Sequence, residues 1–220
     1  MSGLNIRSGW LWAAILVTVL KLWLTNSQTV FAIGPAFHDD QLFVKLAAHI
    51  INGEWLGPYD QFTLAKGPLF PLFIAATFWI GLPLIFAQQL FYAGACTVLT
   101  VAMRPWLRNS ALQCGFYLLL LLNPISYDAA NLTRLMRQNL YTPLALLTIA
   151  GLIMLFSRRR ETVRRMFFPA ILAGLSFGGF WLTREESVWL LPAVGATLSR
   201  HLGIITPRSV STLAESHQWH

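Results

Sequence analysis

Residues 37 to 75 read FHDDQLFVKLAAHIINGEWLGPYDQFTLAKGPLFPLFIA, which sets four acids, two lysines and two histidines between apolar stretches. Asp39 and Asp40 are the first candidates for chemistry. A carboxylate partly desolvated at a membrane boundary can take a proton from an acceptor hydroxyl or amine as it attacks a sugar carbon. The same pair can serve as an N-cap and a favourable helix-dipole charge. Lys66 opens KGPLFP, where it can hold a lipid-linked phosphate as a leaving group or snorkel as an interfacial anchor. Arg134 and Arg137 in NLTRLMRQNLY are spaced i, i+3 and share one face of a helix, fitting an anionic partner or internal pairing with Asp128 or Glu185. Arg184, Glu185 and Glu186 interrupt the apolar FWLTREESVWLLP, either as a solvated turn or as a second acidic wall of the same site.

The elements that must position these residues are apolar helices. The chain has 220 residues, 55% of them hydrophobic and 11% charged, with runs long enough to cross a bilayer. No stretch alternates with the period a membrane β-barrel requires, and a lone signal peptide would not be followed by further apolar runs. The expected class is therefore all-α and polytopic. Candidate apolar segments are Trp10 to Val30, Gly67 to Gly81, Leu82 to Met103, Trp106 to Ile125, Leu140 to Phe156, Met166 to Leu182 and a weaker one from Val188. Gly67 to Gly81 is short, as re-entrant or interfacial segments are. Within the first outer loop, residues 34–81, Leu42, Phe43, Leu46, Ala47, Ile50 and Ile51 fall on one helical stripe. Asp39 or Asp40 stands at its start and Gly53 just past its end, predicting an amphipathic helix on the outer membrane surface.

Basic residues decide the topology. With Arg7 cytoplasmic and Gly67 to Gly81 not crossing, ten Lys/Arg lie inside and five outside: Lys45, Lys66, Arg134, Arg137 and Arg184. If that segment crossed, four would lie inside and eleven outside. The positive-inside rule selects the first arrangement: about six transmembrane helices plus a surface helix and a re-entrant helix. It also puts seven of the nine acids outside, although acids did not enter the choice.

Other features are read structurally. Cys96 and Cys114 sit in apolar segments without metal or redox spacing, as buried small hydrophobes do. Lys21, in mid-segment, reads as a snorkelling or helix-paired lysine. RRRETVRR is a cytoplasmic orientation signal, and the net charge of +7 is assigned to orientation, not to nucleic acid. His38 and His49 lack a third ligand at usable spacing, so no metal site is expected.

Taken together, HDDQLFVKLA, NGEWLGPYD and LAKGPLFPLFIA resemble membrane glycosyltransferases of the GT-C class, particularly relatives of aminoarabinose transferase and protein O-mannosyltransferases. Those families have an acidic pair after the first membrane helix, then a surface helix with a tryptophan near its end. A Lys-Pro-Pro or Lys-Gly-Pro motif opens a helix that does not fully cross. The likeness extends over about residues 10 to 195, more loosely at TREES. It implies an inverting transfer from a polyprenyl-phosphate-linked sugar donor to a polar acceptor on the non-cytoplasmic face of a membrane, expected to be a bacterial inner membrane with the N-terminus cytoplasmic. By the same resemblance Asp39 is the catalytic acid of the first loop, Asp40 its neighbour and Lys66 the phosphate-contacting lysine, with Arg137 a looser match. Some relatives carry an acid where this chain has Gln138 and Asn139. No cofactor is implied, and divalent-metal dependence is left open. The membrane module is expected to fill residues 1–198, with 199–220 a short irregular tail of a truncated chain. The competing classes are a lipid or sugar carrier and a non-catalytic membrane partner subunit.

Overall fold

The computed structural model describes residues 6–28, 40–58, 67–124, 135–158, 161–183 and 191–201. All regular structure among them is helical: α1 (Ile6–Asn26), α2 (Asp40–Ile51), α3 (Leu69–Ile80), α4 (Leu84–Ala102), α5 (Ser110–Leu121), α6 (Gln138–Ser157), α7 (Val163–Thr183) and α8 (Leu191–His201). Four of these, α1, α4, α6 and α7, are long and apolar enough to cross a bilayer, and the chain is a multi-pass membrane protein. Only 11% of the α1 span is buried against 56% of α4, so α4 is central and α1 peripheral.

Helix α1 is amphipathic in the sense a membrane demands. Leu11, Trp12, Leu16, Val19 and Trp23 are exposed, while Lys21 and Thr25 are buried. Hydrocarbon solvates the apolar side, and the polar stripe turns inward to find partners. Thr18 shares a 2.6 Å hydrogen bond with Tyr117, and Lys21 Nζ donates to the Leu121 carbonyl at 2.6 Å. These contacts run α1 parallel to α5. Tyr92 donates to the Leu120 carbonyl at 2.6 Å, running α4 antiparallel to α5.

Helix α6 lies antiparallel to α7 through small residues. A Cβ on Gly151 would come within 2.8 Å of the Ala173 backbone, and Thr148 donates to Ser176 at 3.1 Å in the buried seam. Close backbone approach and interhelical hydroxyl bonds replace the hydrophobic drive that lipid removes. Helices α4 and α6 are parallel: Asn139 Nδ2 donates to Gln88 Oε1 at 3.4 Å near both N-termini, and Leu99 and Ala102 share a cluster with Ala150 and Met154 near both C-termini.

Several elements differ from the sequence expectation. Among the described residues of the run from Trp106 to Ile125, the α-helix covers Ser110–Leu121, because Asn109 caps its start by accepting from the Ala111 N–H at 2.9 Å and Asn123-Pro124 follows its end. The run from Val188 yields an 11-residue helix. Helix α2 forms, closed by Gly53 (φ 83), with Gly53 N–H donating to the Ile50 carbonyl and Glu54 N–H to that of His49. Its apolar stripe does not meet lipid as expected: Leu42, Leu46 and Ile50 pack on Ala75 and Leu72 of α3.

Helix α3 has 12 residues, which at 1.5 Å each span about 18 Å, short of the roughly 30 Å hydrocarbon core. Its first residue, Leu69, and the first residue of α4, Leu84, pack against the same cluster of Phe43, Phe70, Leu140 and Phe180.

Candidate functional site

The directions of the helices gather the described charges into two groups. The end of α4, the start of α5, the end of α6 and the start of α7 carry the exposed Arg104, Arg108, Arg158, Arg164 and Arg165. At the opposite end the starts of α2, α3, α4 and α6 meet the end of α7. That end is where the candidate site lies.

Gly67 is its tightest point. A Cβ there would overlap the Leu182 carbonyl oxygen, so only glycine lets the start of α3 approach the last turn of α7 this closely. Thr183 follows Leu182, is fully buried, and donates its hydroxyl to the Gly179 carbonyl at 2.7 Å. Its own carbonyl accepts from Arg137 Nη1 at 3.3 Å. The Arg137 guanidinium carbon also stands 5.9 Å from the centroid of Phe43 on α2, and Phe43 packs edge-on against Phe70 of α3 at 5.0 Å. One arginine thus ties α2, α6 and α7 together beside the first turn of α3.

Arg137 is the N-cap of α6 and its side chain does not cap the helix, so its charge adds to the positive end of the helix dipole. The bond to Thr183 occupies one of five guanidinium donors. This combination can receive an anionic oxygen.

Of the residues singled out from the sequence, Arg137 is placed here and Asp40 begins α2. Asp39, Lys66, Arg134, Arg184, Glu185 and Glu186 lie outside the described residues. Their described neighbours are brought together: Gly67 follows Lys66 in the chain, and Thr183 precedes Arg184. Trp55, beyond α2, is exposed. The turn it belongs to is braced by His49, whose Nδ1 lies 2.6 Å from Glu54 Oε2 and whose ring lies against Gly57. Among the described residues no three His, Cys, Asp or Glu side chains converge as metal ligands. Cys96 and Cys114 are buried free thiols.

Two further features lie at this end: the first is the helix-paired alternative of the sequence reading of Lys21, whose partner the sequence did not supply, and the second was missed. Lys21 is 8% exposed, sits 5.0 Å from the centroid of Tyr92 and donates to the last carbonyl of α5, so lysine and tyrosine together cap a helix that stops after 12 residues. Beside it, a polar cavity is lined in part by Gln89, Asn123, Gln138 and Asn139. The signal for both was present, since Gln88, Gln89 and Tyr92 recur on one face of an otherwise apolar helix. No family model, curated protein or solved structure matches the chain.

Proposed function

We propose that this chain is the membrane module of a glycosyltransferase that moves a sugar from a polyprenyl-phosphate donor to a hydroxyl or amine acceptor, working where Gly67, Arg137 and Thr183 meet. The observation that carries this reading is their convergence: Gly67 against Leu182, and Arg137 against both Thr183 and Phe43. Chain segments with little sequence in common, each bearing candidate charges, adjoin at one end of the bundle. The arginines at the opposite end support a cytoplasmic basic face, an N-terminus on that side and a site on the outer face. The shared packing of Leu69 and Leu84 supports a re-entrant α3 that returns to the side it left.

In the proposed reaction Asp39, with Asp40 beside it, takes the proton from the acceptor O–H or N–H. The freed lone pair attacks the anomeric carbon from the face opposite the phosphate, and inversion results. The bond from that carbon to the phosphate oxygen breaks, and its electron pair leaves on the polyprenyl phosphate. Lys66 and Arg137 stabilise this charge; the α6 N-terminus adds to it. Burial of Phe43, Phe70 and Leu140 beneath Arg137 lowers the local dielectric and strengthens that attraction.

The test uses the full chain in nanodiscs with polyprenyl-phosphate sugars labelled in the sugar. Transfer is expected to fall about 100-fold or more in Asp39→Asn, the scale of a lost general base, while donor binding is kept. Arg137→Gln is expected to weaken donor binding about tenfold or more, the scale of a charged hydrogen bond. Unchanged transfer in Asp39→Asn overturns the assignment of the base. Movement of labelled lipid across the bilayer without a glycosidic product identifies a carrier instead.

A further inference from the structure

Helix α1 is joined to α5 at mid-length, where Thr18 meets Tyr117 at 2.6 Å. From there toward its N-terminus a groove of about 470 Å³ runs between α1, α4 and α5. Its lining extends from Trp10 to Val19 on α1, from Thr97 to Arg104 at the end of α4 and from Ser110 to Tyr117 on α5. Since α1 and α5 are parallel and α4 is antiparallel to both, all three walls lie in the half of the bundle toward the basic end. Trp10 and Val19 are nine residues apart, about 14 Å of helix, close to half of the roughly 30 Å hydrocarbon core. The groove is one leaflet deep.

Most of its wall asks nothing of an occupant but dispersion. Thr97 and Thr100 donate to the carbonyls of Ala93 and Cys96 at 2.9 and 2.8 Å, and Gln113 Nε2 donates to that of Leu107 at 2.6 Å. Leu11, Ile15 and Val101 line the groove and are exposed, so its side is open to the bilayer. An acyl chain laid there supplies the dispersion contacts that an empty groove forfeits.

The mouth has a different chemistry. Arg104 lines it just beyond α4 and is exposed. Ser110 lines it as the first residue of α5, whose dipole brings its positive end to the same place. Trp10 at the rim and Trp106, two residues beyond Arg104, are exposed in the manner of aromatic residues at a membrane interface. Arg104 therefore stands at headgroup level, and its guanidinium fork matches the oxygens of a phosphate.

We infer that this groove is a binding site for one anionic phospholipid of the leaflet at the basic end, its phosphate on Arg104 and one acyl chain laid along α1. The charge at the mouth selects an anionic headgroup, as basic pockets between membrane helices do. The depth selects a chain that stops at the bilayer centre, where a crossing helix would need twice the length. Such a lipid completes the packing of α1, of whose span 11% is buried by protein. The site lies at the opposite end of the bundle from Arg137 and stands whether or not the chain is a transferase.

The purified full chain is offered equimolar phosphatidylglycerol and phosphatidylcholine with identical acyl chains, and the retained lipid is read by native mass spectrometry. One phosphatidylglycerol is expected to be retained in preference. Arg104→Gln is expected to lower that preference about fivefold or more, the worth of one basic residue beside anionic lipid, and Arg104→Lys to keep most of it. Arg108 is exposed at the same end but is not among the described lining residues, so Arg108→Gln is expected to leave the preference unchanged. A second measurement leaves the arginines in place: one equivalent of phosphatidylglycerol carrying a diazirine in its acyl chain is photolysed on the protein, and adducts are expected on the peptides that hold Leu11, Ile15 and Val101. Equal retention of the two lipids, equal loss of preference in Arg104→Gln and Arg108→Gln, or adducts spread over α6 and α7 each overturn the inference and leave ordinary surrounding lipid. A lipid-free dimer of the chain assigns the groove to a second copy and overturns it as well.

Discussion

Gly67→Ala tests the junction on which the site depends. The added methyl would overlap the Leu182 carbonyl oxygen, far inside the 3.4 Å at which ordinary contact begins. Both partners are backbone, so no side-chain rotation relieves the clash, and the start of α3 must move away from α7. Overpacking of this kind costs about 1 to 3 kcal/mol. For a chain of this length each kcal/mol lowers Tm by about 2 to 4 °C, giving a shift of roughly 2 to 12 °C. The comparison is Gly94→Ala on α4, where a Cβ meets nothing within 4 Å and helix propensity favours alanine by up to about 1 kcal/mol. Thermal unfolding of both variants in nanodiscs, followed by a thiol-reactive dye that reports Cys96 and Cys114, gives the two shifts. A double-mutant cycle with Arg137→Gln adds the link to the site: the two share the last turn of α7, so a coupling of about 0.5 kcal/mol or more is expected. If Gly67→Ala unfolds at the same temperature as Gly94→Ala, the close approach of α3 and α7 does not exist and the proposed site loses its frame.

Lys21→Met and Tyr92→Phe each take a donor from the last carbonyls of α5, and each is expected to cost about 1 to 3 kcal/mol in the same unfolding assay. Stability unchanged in both would remove the capped helix end. Single cysteines at Asp60, Leu82 and Trp106, in a chain with Cys96→Ala and Cys114→Ala, report topology through a membrane-impermeant reagent on intact cells. Labelling at 60 and 82 with protection at 106 is expected; protection at 82 with labelling at 106 would mean that α3 crosses, and the single outer face would be lost.

The helical class, the apolar runs and the segregation of arginine were legible because they follow from composition and from the local period of 3.6. So were the α2 stripe and its Gly53 stop, which depend on residues within a few turns of one another. What covers that stripe was not legible, since lipid and the apolar face of α3 favour the same side chains. The length of α5 was not legible either. Hydropathy carries the segment from Trp106 to Ile125, but the helix ends where Lys21 and Tyr92, far away in sequence, are able to satisfy its carbonyls. Gly67 reads locally as a flexible residue before a proline, and only the path of α7 turns it into the one residue that fits beneath Leu182. The carboxamides of α4 and α6 are each ordinary polar interruptions until helix packing sets them around a common cavity. Sequence by itself therefore determined which segments leave water and which charges stay at their ends, because the transfer of each side chain between water and lipid is a local property. Tertiary structure decided which of those charges and amides face one another, because that depends on backbone approach between segments whose separation in sequence carries no information about their distance in space.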